Sequence, residues 1–164
     1  MSLLTALNSR LSRWALYIAC IGLTGLVCIV DYSVVMRYIF NDSPVFAEQA
    51  ALLMVITVAM FGASAGVRDA GHIGMDIVVL MTPEKWHKRI SVVVHCINAF
   101  FGALLFSGCL LMADSVYQST IPTLGISEAV RYLPPIGAGI LIILFSIEHL
   151  MALFTNKKVI PSWH

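Results

Sequence analysis

Apolar residues run along this chain in four long blocks, roughly Trp14 to Met36, Pro44 to Val67, Arg89 to Met112 and Pro135 to Phe154, joined by short polar stretches. Each block holds about 20 residues or more, and at a rise of about 1.5 Å per residue it spans the roughly 30 Å hydrocarbon core of a bilayer. The pattern predicts an all-α integral membrane protein: a single domain, 1–164, with four transmembrane helices over about 14–36, 44–67, 83–112 and 135–154. The third helix is expected to start ahead of its apolar block, because Thr82 suits an N-cap, Pro83 the first helical position and Glu84 the positive end of the helix dipole.

The joints sharpen the picture. Asn41-Asp42-Ser43-Pro44 is a compact turn, so helices one and two form a tight antiparallel hairpin. Glu48 then lies close to the positive end of helix two, where a carboxylate is favourable. Helix two closes on Gly62-Ala63-Ser64-Ala65-Gly66, a run of small residues on which a neighbouring backbone can approach closely. Met75 to Met81 is apolar but too short to cross, and is expected to lie buried at the membrane interface, or against another helix, between helices two and three. Ser115 to Leu133 reads as an ordered outer loop ahead of Pro134-Pro135. The first apolar block is too long for the apolar part of a cleaved signal peptide and reads as a retained helix.

Composition agrees: 59% of residues are hydrophobic and 12% charged, with a mean hydropathy of +0.89, far from the quarter-charged make-up of soluble domains. Eight of the ten Lys and Arg residues (Arg10, Arg13, Arg68, Lys85, Lys88, Arg89, Lys157, Lys158) fall on one side of the predicted spans, and Arg37 and Arg131 on the other. The positive-inside rule therefore places both termini and the middle joint in the cytoplasm. The net charge of +1 is spread without a basic face, which argues against nucleic acid as a partner. Cys20, Cys28, Cys96 and Cys109 all lie within predicted spans and are expected to be small packing residues, not disulfides.

Candidate chemistry is sparse. Arg68, Asp69, His72 and Asp76 cluster just after helix two, and Asp69, His72 and Asp76 would share a helical face suited to a metal. Gly71 and Gly74 interrupt that helix, so the favoured reading is a polar exit, with Arg68 and Asp69 at the headgroups and His72 and Asp76 bonding freed backbone groups. His95 and His149 lie at matching depths in helices three and four, which allows a haem iron between them; the simpler reading is interhelical hydrogen bonding beside Glu148. Asp31, Arg37, Asp114 and Glu148 all sit near helix ends, leaving apolar helix centres that make a poor substrate path. Nucleophile–base motifs and a CxxC pair are missing, so no enzyme is expected.

Arg37-Tyr38-Ile39-Phe40-Asn41, Ser43-Pro44 followed by Phe46 and Glu48, then Gly62, Arg68, Gly71-His72-Ile73 and Asp76, in that order, resemble the small membrane subunit of the tripartite ATP-independent periplasmic (TRAP) transporters. Leu124-Gly125-Ile126 and Tyr132-Leu133-Pro134-Pro135-Ile136-Gly137 are similar to that family's second outer loop and fourth helix. The chain departs from the family at Phe46, Glu48 and Gln49, where the family shows Trp and an acidic pair. The resemblance implies a bacterial inner-membrane scaffold without a cofactor of its own. Its partners would be membrane lipids, a large membrane subunit that carries the sodium coupling and moves an organic acid such as a sialic acid or dicarboxylate, and a periplasmic solute-binding protein. Gly62, Gly66, Arg37, Tyr38, Arg68, His72 and Asp76 would face the large subunit, with Glu48 and Arg131 toward the periplasmic protein. The alternative from the residues themselves is a four-helix electron carrier holding b-type haem on His95 and His149.

Overall fold

A computed structural model describes residues 2–42, 44–69 and 84–155 of the chain. Four long helices dominate: α1 (Ser2–Ile39), α2 (Val45–Asp69), α3 (Glu84–Ser115) and α4 (Leu133–Phe154). All four are long and apolar enough to cross a membrane. The first exceeds expectation by a dozen residues at its start. Ser2–Arg13 contains neither Gly nor Pro to stop a helix, and Asn8 and Ser12 carry the helix's inward face to that end of the bundle. At 38 residues and about 1.5 Å each, α1 approaches twice the thickness of a hydrocarbon core. The expected interfacial stretch Met75–Met81 and the Thr82 cap lie outside the described residues.

The α1–α2 hairpin turns as its sequence suggests. Asn41 takes a left-handed φ of 53°, a conformation Asn tolerates better than most residues, and the Asp42 amide folds back to donate to the Met36 carbonyl at 3.1 Å. Side chains on the facing seam of α1 are small: Ser12, Ala15 and Ala19 are buried, and a Cβ on Gly22 or Gly25 would press on Val58 at 3.0 Å or Met54 at 3.2 Å. Small residues at 3–4 spacing are what close antiparallel approach in lipid requires.

Helix α4 is the central one. It touches α1, α2 and α3 and buries Pro135, Ala138, Gly139, Ile142, Phe145, Ser146, Glu148 and His149 along one side. Its closest approach is to α3, where a Cβ built on Gly139 would lie 2.9 Å from the Gly102 carbonyl oxygen and 3.0 Å from the Phe106 amide nitrogen. Gly62 and Gly66, by contrast, would meet nothing within 4 Å. Among the described glycines, close helix contact rests on Gly22, Gly102 and Gly139; in the small-residue run of α2, Ser64 and Ala65 are buried inside the chain while Gly62, Ala63 and Gly66 are left open on its other side.

The outer loop is ordered. Strands β1 (Thr120–Ile121) and β2 (Ile126–Ser127) form a two-stranded antiparallel ladder, closed by Gly125 at a φ of 65°. A 3-10 helix, Glu128–Tyr132, follows, with the Ser127 hydroxyl capping the Ala129 amide, and leads into α4. The cysteines depart from expectation: Cys20, Cys28 and Cys96 are exposed and only Cys109 is half-buried. They line the outer surface of the bundle, because the inward positions are held by Ala, Gly and Ser, which allow closer packing.

Candidate functional site

The polar residues of the chain gather in the interior at the end of the bundle where α1 starts and α2 and α4 finish. Arg68, at 1% exposure, is the centre. Its Nε donates to Glu148 Oε2 at 3.2 Å and its second terminal nitrogen reaches Glu148 Oε1 at 3.4 Å. The other terminal nitrogen bonds Asp69 Oδ1 at 3.0 Å. One planar guanidinium thus holds two carboxylates, a geometry that a lysine ammonium cannot reproduce.

Helix α1 completes the arrangement. Asn8 and Ser12, one turn apart, both face inward. Asn8 Nδ2 donates to Glu148 Oε2 at 2.9 Å, and the Ser12 hydroxyl donates to Asp69 Oδ2 at 2.6 Å. Every carboxylate oxygen therefore accepts a hydrogen bond, which is the condition for tolerating buried charge. His149 Nε2 lies 3.0 Å from the Arg68 carbonyl oxygen. Since that oxygen can only accept, Nε2 carries the proton. His95 of α3 stacks on His149 with ring centroids 4.5 Å apart and planes 3° from parallel. All four helices are thereby joined through buried polar or stacked side chains.

This arrangement corrects the sequence reading of the polar exit. Arg68 and Asp69 do not turn outward to solvent or headgroups but into the bundle, at 1% and 4% exposure, because Glu148, Asn8 and Ser12, more than 50 residues away in sequence, supply partners. The histidines meet face to face, so an iron between them would find ring faces in place of nitrogen lone pairs. Among the described residues no group of three or more His, Cys, Asp or Glu is placed to hold a metal. His72 and Asp76, the remaining members of the proposed metal face and of the expected interface, lie outside the described residues.

At the opposite end, Arg131 donates to Gln49 Oε1 at 3.0 Å and pairs with Glu128 at 3.5 Å. The outer 3-10 helix is thus pinned to the start of α2 through Gln49. Arg37 and Glu48, both exposed, line a common groove between α1 and α2. Tyr38 projects outward at 82% exposure. At the inner end, Arg89 stacks on Trp86 at 5.3 Å, the arginine–aromatic pairing expected at a membrane boundary.

Four apolar spanning helices closed by an internal polar clamp define a multi-pass integral membrane protein. Residues 26–156 match the family model for tripartite ATP-independent periplasmic transporters, DctQ component, and the chain belongs to that family. It is a small permease subunit of the inner membrane and not an enzyme. A Haemophilus influenzae protein assigned as a TRAP transporter small permease is 23% identical over 79% of this chain and 81% of its own length. The C4-dicarboxylate TRAP transporter small permease protein DctQ of Vibrio cholerae is 33% identical over 46% of this chain and 33% of its own length. The sialic acid TRAP transporter permease protein SiaT of Haemophilus influenzae is 27% identical over 66% of this chain but only 18% of its own length.

Proposed function

We propose that this chain is the scaffold of its transporter: it braces a large transport subunit in the membrane and helps dock a periplasmic solute-binding protein during sodium-coupled uptake of an organic acid. The observation that carries the reading is the clamp. The buried guanidinium and carboxylates are bonded to one another and to Asn8 and Ser12, so they fasten helices together and do not line a route for a solute.

Two further observations favour the same role. Helix α2 presents Leu52, Val55, Ala59 and Ala63 outward, with Gly62 and Gly66 open beside them, a surface on which a foreign helix packs closely. A region similar to most of this chain makes up 18% of one longer sialic acid permease, which fits a unit that works in contact with a larger one. The solutes named for the relatives, C4-dicarboxylates and sialic acid, are both organic acids.

Removing this subunit is expected to abolish sodium-driven uptake, while the purified chain alone moves nothing across a vesicle membrane. Full-rate uptake by the large subunit reconstituted without it would reject the scaffold role.

A further inference from the structure

Between the outer ends of α1 and α2 lies a groove of about 430 Å³, within the range of about 300–1,000 Å³ typical of small-molecule sites. Its lining changes character with depth. Arg37, two residues from the end of α1, and Glu48, in the first turn of α2, stand at the mouth. Ser33 and Val34 follow one turn down, and Ile29 and Val30 form the floor. From Arg37 to Ile29 is eight residues, about 12 Å along a helix. The groove therefore begins at headgroup depth and ends well inside the hydrocarbon.

We propose that this groove holds a phospholipid of the outer leaflet bearing an ethanolamine headgroup. Charge complementarity selects the ligand. Arg37 presents a guanidinium suited to a phosphodiester, and Glu48 a carboxylate suited to an ammonium. The acyl chain lies along Val34, Val30 and Ile29. A primary ammonium donates hydrogen bonds to Glu48, whereas the methylated ammonium of choline cannot, and a glycerol headgroup offers no cation at all. The bound lipid fills the seam between the two helices where their ends diverge around the turn. The inference requires only that the chain spans a bilayer, so its failure would leave the scaffold reading untouched, and the converse holds as well.

The test is native mass spectrometry of the full chain in mild detergent, offered an equimolar mixture of phosphatidylethanolamine, phosphatidylcholine and phosphatidylglycerol, and repeated on the chain in complex with its large subunit. One retained phosphatidylethanolamine is expected in both. Arg37→Ala should weaken retention by about ten-fold, the loss of one charge-assisted contact. Glu48→Gln should erase the preference over phosphatidylcholine, and Val30→Trp, which fills the floor while sparing both charges, should block all three lipids. Both charged side chains are exposed, so these variants are expected to fold like the parent. Equal retention of the three lipids, or an adduct unaffected by Arg37→Ala and Glu48→Gln, would overturn the proposal. Loss of the adduct on assembly with the large subunit would give the groove to a helix of that subunit and overturn it equally.

Discussion

Arg68 and Glu148, 80 residues apart in sequence, meet in the interior through two nitrogen–oxygen contacts of 3.2 and 3.4 Å, with side-chain exposures of 0% and 5%. The pair joins the last turn of α2 to the last two turns of α4, and Asn8 adds α1 by donating to the same carboxylate. Removing one partner of such a buried pair strands the other, which costs about 3–5 kcal/mol. Arg68→Ala is therefore expected to lower the thermal midpoint of the purified protein sharply. Arg68→Lys should recover only part of the loss, since one ammonium cannot span both carboxylates. A midpoint unchanged in Arg68→Ala would show that the clamp contributes nothing to stability.

The two kinds of glycine should separate in experiment. Gly139→Leu drives a side chain into the Gly102 carbonyl and the Phe106 backbone, and overpacking of this sort costs about 1–3 kcal/mol or more. The isolated chain should lose stability. Gly62→Leu and Gly66→Leu place bulk where the chain itself has space, so the isolated variants should melt like the parent while co-purification with the large subunit weakens. Undiminished co-purification of both would remove α2 from the interface.

At the outer end, Arg131 already bonds Gln49 of α2. Gln49→Glu turns a neutral acceptor into an ion pair. With Arg131 30% exposed, the gain should stay below about 1 kcal/mol and fade with added salt. Arg131→Ala should instead free the 3-10 helix, read as faster proteolysis within 116–133. Equal cleavage rates in parent and variant would indicate that β1 and β2 hold the loop unaided.

His149 donates to the Arg68 carbonyl while its ring supports His95. His149→Phe keeps the stack and leaves a buried carbonyl short of a donor, a loss of about 1–3 kcal/mol. His95→Phe, which retains a flat ring, should be milder than His95→Ala. The purified protein is expected to be colourless. A Soret band that vanished in His95→Ala would restore the haem reading and contradict the stacked arrangement.

Much of this protein was legible without coordinates because a bilayer makes the local rules strict. A backbone in hydrocarbon must satisfy its own hydrogen bonds, so long apolar blocks can only become helices, and Asn41-Asp42-Ser43-Pro44 can only be a turn. The four spans, the hairpin and the family follow from that order of residues. α1 begins a dozen residues ahead of its apolar block, because hydropathy marks where a helix can cross and is silent on where it begins.

Which polar residues meet is a different kind of fact. Asn8, Ser12, Arg68, Asp69 and Glu148 each look like residues near a helix end, and along the sequence nothing distinguishes a side chain that reaches the headgroups from one that turns inward. Helix rotation decides it, and rotation is set by the close approach at Gly22, Gly102 and Gly139, contacts between residues as much as 41 positions apart. Once those glycines fix the seams, Arg68 points at Glu148 and not at the lipid surface. The bilayer's demand on each segment by itself fixed the helices; the packing of one segment on another fixed the clamp.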